Sequence, residues 1–337
     1  MTRALPSSND VGSLGVPHLK RIWSSALASR SGAAARRPGE AELDRQVLDA
    51  IGLGLHQTWH YLMHMAPSFE AFEDWVVATA GRPDPLCAER LRSAVAGQAY
   101  PGAVRSWLDA VEASPPVLGE EELACWEEHG YVVLRNAVGE DEWRAAQQAI
   151  YAYVNAVPDD VESWYRGDGR HGIMVELIQH PALAATRRSP RIHKAYAQLW
   201  GTADLWVSAD RCGFHPPQRE GCPFPGPDLH WDLDLNAPLA FGTQGILYLA
   251  DTPAEQGALT VVPGFHKRLP GWLASLAPGI HPQQQDLHAL GSLPVAGRAG
   301  DMVIWHQWLP HGSRPNLGKR PRVVQYINMM ASTPAVE

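Results

Sequence analysis

The chain has 337 residues, enough for about two domains, and its 45% hydrophobic and 19% charged side chains form a globular balance that excludes wholesale disorder. With 28 basic against 36 acidic residues the formal net charge is −8, and no Lys/Arg-rich run is present, so the electrostatic footprint of nucleic-acid binding is missing. Four scattered cysteines (Cys87, Cys125, Cys212, Cys222), no apolar stretch of about 18 residues, and a start (MTRALPSSNDVGSLG) lacking a basic end and apolar core together predict a reducing, cytoplasmic setting with no membrane and no nucleic-acid partner.

Residues 1–39 carry little apolar periodicity and are expected to be extended or poorly ordered, with Ser29 to Gly39 (SRSGAAARRPG) a solvated connector. Residues 40–117 read as a helical N-terminal region: Leu43, Val47, Ile51, Leu55 and Leu62 recur at helical steps, and Phe69, Phe72 and Val76 continue the rhythm. Ser114-Pro115-Pro116 breaks it, since proline cannot extend a helix and restrains the residue before it. Residues 118–337 then form a third stretch. Glu120 to His129 predicts a short helix, Tyr131-Val132-Val133-Leu134 a strand, and Glu140 to Val154 a helix with acids in its first turn. From Leu205, short apolar runs alternate with Pro/Gly turns: LWVSADRCGF, LHWDLDL, TQGILYLA, ALTVVP, DMVIWHQW and RVVQYINMM. Many short strands between turns predict an antiparallel sandwich or barrel.

Within DLHWDLDL, strand alternation would turn His230 and Asp232 to one face, with Asp234 on the same side. His311, 79 residues after Asp232 in WLPHGSRPN, follows another apolar strand. Two imidazoles and one carboxylate make the facial set used by non-haem Fe(II) oxygenases, which leaves three metal positions open. His306, between Trp305 and Trp308, competes with His311 as the distal ligand but reads as a packed core histidine, and His266 reads as structural. His56, His60 and His64 share one helix face without an acidic partner, and ordinary packing is the simpler account.

The ordered motifs HWDLDL, GILYLADTPAEQGALTVVPGFHKRLP, GDMVIWHQWLPHGSRPN and RPRVVQYI resemble the phytanoyl-CoA dioxygenase family. WEEHGYVVLRNAV is similar to the family's opening motif, and PGFHK to its Pro-Gly-Ser-His turn, with Phe265 in place of the serine. The resemblance runs from about Glu120 to Met330. It implies a mainly β fold with added helices, whose core is a double-stranded β-helix (a cupin-like jelly-roll), and a dioxygenase using Fe(II), 2-oxoglutarate and dioxygen to hydroxylate a small-molecule substrate. His230, Asp232 and His311 would be the metal ligands, with Asp232 rather than Asp234 because of its one-residue spacing from His230. Asp232 also fills the position that a small residue leaves to chloride in related halogenating enzymes. The family places its co-substrate arginine on the last barrel strand, eleven residues past the distal histidine, at Arg322 here. A guanidinium offers paired donors to a carboxylate. Arg320 shares that face but sits at the strand mouth. Ser313 resembles the residue that adds a hydroxyl contact to the same carboxylate.

Arg211, on a strand expected to pass the site, is a candidate substrate contact or an ion-pair partner. The helical N-terminal region is expected to shape the substrate cavity, and it offers a surface for a homodimer. Two other readings keep the barrel: a Zn²⁺ or Mn²⁺ Lewis-acid hydrolase or isomerase, and a non-catalytic module in which metal serves only the fold.

Overall fold

The computed structural model describes residues 5–32 and 39–332, so residues 33–38 of the expected connector lie outside the described residues. Six helices come first: α1 (Leu19–Arg30), α2 (Glu40–Ala50), α3 (Leu55–Met65), α4 (Phe69–Ala80), α5 (Pro85–Val95) and α6 (Gly102–Ala113). Ser68 Oγ accepts from Ala71 N–H (3.2 Å) and Asp84 from Cys87 N–H (3.0 Å), and Pro85 occupies the first turn of α5. Helix starts fall where an acceptor can satisfy the orphan amides of the first turn. Leu43, Val47, Leu62, Phe72 and Val76 are fully buried in one cluster. Helix α1 corrects the expectation for residues 1–39. Leu19, Ile22 and Ala26 lie on one face and join the same cluster. Polar residues interrupt that face in sequence, and burial of Arg21 against Glu40 is a tertiary event.

After the Pro-Pro break come α7 (Glu120–His129), β1 (Tyr131–Leu134) and α8 (Glu140–Tyr153), as predicted. Glu122 and Glu142 accept from the N–H groups of Gly119 (2.9 Å) and Gly139 (2.8 Å) at the starts of their helices. The chain continues through β2 (Arg170–His171), β3 (Met174–Val175), α9 (Pro181–Arg187), α10 (Pro190–Trp200), β4 (Leu205–Val207), β5 (Cys212–His215), β6 (Thr243–Tyr248), β7 (Leu259–Val261) and α11 (Phe265–Ser275). It ends with β8 (Leu293–Val295), β9 (Met302–His306), β10 (His311–Gly312), β11 (Arg322–Tyr326) and β12 (Met329–Ala331).

Two compact units result. One combines Met1–Ser114 with Tyr196–Asp210 and Met329–Glu337; the other comprises Pro115–Ala195 and Arg211–Asn328. The run LWVSADRCGF therefore splits, β4 belonging to the helical unit and β5 to the other, and RVVQYINMM splits likewise into β11 and β12. Strands β4 and β12 pair antiparallel, with Met330 opposite Trp206, and Trp206 enters the helical core.

The second unit holds a seven-stranded sheet, β1-β9-β6-β11-β5-β3-β2, and a three-stranded one, β10-β7-β8, all antiparallel. Its core includes Ile246, Tyr248, Val261, Phe265, Val303, Trp305, Leu309 and Val324. Among the described residues no helix is long and apolar enough to cross a membrane.

Candidate metal centre

The metal segment is not a strand. Asp228 to Leu235 was expected to be extended throughout, yet it makes one bridge, at His230, and bends at Asp232. That bridge is reciprocal: His230 N–H donates to His311 O (2.9 Å) and His311 N–H to His230 O (3.0 Å). It adds residue 230 to the edge of the small sheet and sets the two imidazoles across from each other, ring centroids 4.8 Å apart. Gly312 makes the approach possible, because a Cβ there would collide with the Asp228 carbonyl. Asp234 lies outside the convergent group and accepts from Asn236 N–H instead (2.9 Å).

His230, Asp232 and His311 each offer a ligand atom, and these atoms lie within 4.8 Å of one another. His230 Nε2 is 3.4 Å from Asp232 Oδ1, and His311 Nε2 is 3.3 Å from Asp232 Oδ2. Each imidazole donates its Nδ1 proton to a backbone carbonyl, His230 to Asp228 O (2.7 Å) and His311 to Leu309 O (3.1 Å). With Nδ1 committed, Nε2, which faces Asp232, is the nitrogen that would bind a metal. Burial raises the Asp232 carboxyl, but the hydrogen bonds and charges of His230 and His311 outweigh it and hold the group well below the usual carboxylate range. Burial lowers His230, yet its bonds to Asp232 and Asp228 win and leave it raised. The centre is graded in depth: side-chain exposure is 6% for His311, 29% for His230 and 58% for Asp232, so it opens to solvent on the carboxylate side.

Arg322 is 1% exposed. Its Nη1 donates to Gly257 O (2.6 Å) and Ser313 Oγ (2.8 Å), while Nε and Nη2 are buried without a partner. Gly257 has φ +67, and a Cβ there would crowd the His215 ring and the Arg314 carbonyl. His215 lies opposite Arg322 in the β5–β11 register. Burial, then the charges of Arg322 and Arg170, push its pKa down to about 2, so it is neutral, and its buried Nδ1 has no partner. Arg320 lies outside this arrangement, bonded at the surface to Asp159 (2.9 Å) and Pro158 O (2.7 Å).

The remaining candidates lie apart from the three ligands. Arg211 sits 3.5 Å from Glu176. His306 is buried beside Trp126, His266 and Trp308, accepts from Trp308 N–H at Nδ1 (3.1 Å), and is held at about 4 by burial and then by His266. His56, His60 and His64 are exposed on α3, with the last two rings 4.1 Å apart. Phe265, where the family turn has serine, packs against Trp231, between two of the ligands (6.0 Å), and against Trp272 (5.4 Å).

Gln244 escaped the sequence reading. Its Nε2 donates to Asp232 Oδ2 (2.6 Å) and its Oε1 accepts from Trp305 Nε1 (3.1 Å). An indole N–H can only donate, which fixes the amide's orientation and turns its NH₂ toward the carboxylate. Only the strand parity of β6 could have hinted at it.

A family model described as phytanoyl-CoA dioxygenase (PhyH) matches residues 126–324. A Dictyostelium discoideum protein named for a phytanoyl-CoA dioxygenase is 21% identical over 259 residues, covering 62% of this chain and 74% of its own. Among solved structures, the non-haem alpha-ketoglutarate-dependent epimerase SnoN from nogalamycin biosynthesis is 20% identical over 67% of this chain and 84% of that one, with a TM-score of 0.46. EctD from S. alaskensis, with bound Fe, is 18% identical over 65% and 79% respectively, also at 0.46.

Proposed function

Because the chain belongs to the phytanoyl-CoA dioxygenase family, we propose that it is a non-haem Fe(II)- and 2-oxoglutarate-dependent oxygenase. Its antiparallel unit is read as a double-stranded β-helix, and its reaction as hydroxylation of a small organic molecule with release of succinate and CO₂. The observation that carries this reading is a three-ligand centre in the same unit as a buried arginine that has no counter-ion among the described residues.

The residues fit the groups they would hold. His230, Asp232 and His311 supply two imidazole nitrogens and one carboxylate oxygen, a donor set that suits Fe(II) and leaves three positions for a 2-oxo acid and dioxygen. When bound, the iron supplies the redox chemistry by which dioxygen oxidises 2-oxoglutarate and substrate together. The protein's own part is placement and exclusion of water. Arg322 and Ser313 would hold the distal carboxylate of 2-oxoglutarate: Nε and Nη2 are available, and Ser313 Oγ, already accepting from Nη1, retains its own proton to donate. In a buried setting such an ion pair is far stronger than in water. Asp228 and Leu309 hold the imidazoles by their carbonyls, and Gln244 holds the carboxylate. Substrate would approach from the exposed Asp232 side.

Anaerobic titration with Fe(II) and 2-oxoglutarate tests this. A visible charge-transfer band is expected in the wild type and not in His230→Ala, followed by oxygen-dependent succinate release. A wild type without the band, or a band that survives His230→Ala, overturns the reading.

A further inference from the structure

We propose that Gln283 is a positioning residue for the metal centre, within a strap from His281 to Ser292 that ties the two ligand-bearing segments together; this rests on the metal-binding reading above. Trp231 lies between His230 and Asp232, and its peptide groups set where the two ligands point. The N–H of Trp231 donates to Gln283 Oε1 (3.2 Å), and its carbonyl accepts from Gln283 Nε2 (2.8 Å). One carboxamide thus supplies the donor and acceptor that a neighbouring strand would supply, on a segment whose regular pairing is a single bridge at His230. A peptide N–H can only donate and a carbonyl only accept, so the amide's orientation is fixed.

The strap has further ties. Leu287 is buried in the core cluster that contains Trp231. His288 Nε2 lies 2.7 Å from Asp228 Oδ1, and the Asp228 carbonyl is the one that receives the His230 Nδ1 proton. His288 Nδ1 is 2.8 Å from Ser292 Oγ, and Arg314, three residues past His311, donates through Nη2 to Ser292 O (3.1 Å) and Oγ (2.7 Å). A single segment between α11 and β8 therefore touches the chain beside both histidine ligands. The convergence of His230, Asp232 and His311 is held from outside as well as by their own bridge.

The test is Co(II) titration of the full chain, read by its visible d–d bands, with Gln283→Met, Gln283→Glu and, as a control on the same segment, Gln285→Met. Gln283→Met keeps the length of the side chain and removes both hydrogen bonds. Gln283→Glu keeps the acceptor and loses the donor, and serves if the Met variant does not fold. Outer partners of metal ligands are worth about 10–100-fold in affinity. Gln283→Met is expected to lose that much Co(II) affinity with altered d–d bands, Gln283→Glu to fall between it and wild type, and Gln285→Met to match wild type, each titrated at a temperature where the metal-free variant is folded. Wild-type affinity and bands in a folded Gln283 variant overturn the proposal while leaving the metal site intact. A wild type that binds no Co(II) removes the site itself.

Discussion

Buried arginines are handled differently in the two units. In the helical unit His18 Nε2 lies 2.9 Å from Asp44, Arg21 pairs with Glu40, Arg90 with Asp204 (2.7 Å), and the Glu73 carboxylate receives the N–H groups of Ser13 (3.1 Å) and Leu14 (2.9 Å). In the other unit Arg322, more deeply buried than any of those arginines, meets only a carbonyl and a hydroxyl among the described residues. Taking an ion out of water costs several kcal/mol unless a partner compensates. Charges that compensate one another belong to the fold. A cation left waiting belongs to a ligand.

Substitutions can break or sharpen that contrast. The largest effect is expected at the centre: Asp232→Ala should abolish metal binding and turnover, checked by metal analysis and succinate release, with little change in unfolding midpoint because the side chain is 58% exposed. Next, Arg322→Met should weaken 2-oxoglutarate about 100-fold or more, the value of a desolvated charge pair. Metal affinity should be retained, and removing an uncompensated charge should not destabilise the fold. If the variant binds 2-oxoglutarate normally, the waiting cation serves something else. In the helical unit the opposite pattern is expected. Glu40→Gln strands Arg21 and should cost about 3 kcal/mol in urea unfolding, since both side chains are nearly buried. Gln244→Leu should weaken metal binding about tenfold, measured by competition with a chelating dye.

A further effect is a pH dependence. His306 is held at about 4 against an ordinary 6.5, by burial and then by His266. Its folded value lies below the unfolded one, so the unfolded chain binds more protons below pH 6.5. Stability is therefore full above that value and declines as pH falls toward 4, by about 2 kcal/mol at pH 5. Urea midpoints at pH 7 and 5 should converge in His306→Gln relative to wild type. His215, at about 2, adds loss in the same direction.

Much of this was legible from local pattern. Leu43, Val47, Phe72 and Val76 announced their helices because a buried face repeats every three to four residues, and the helix at Glu140 and the strand at Tyr131 were readable from acidic first-turn residues and a β-branched run. Helix α1 was not, because its charged Arg21 is buried through Glu40, a partner 19 residues away, and the Pro6 carbonyl. The metal segment misled in an instructive way: HWDLDL alternates like a strand, but the Asp232 bend and the 52-residue reach of Gln283 replace strand pairing.

The sequence by itself determined the donor types and their one-residue and 79-residue spacings, and its ordered motifs carried the resemblance to the family. The tertiary structure buries Arg322 and joins Arg320 to Asp159 at the surface, and sets His311 beside Asp232; it alone reveals which glutamines brace the centre. The division has a physical cause. Spacing and periodicity are properties of neighbouring residues, whereas burial, counter-charge and convergence depend on segments 52 to 161 positions apart that meet only in the folded chain.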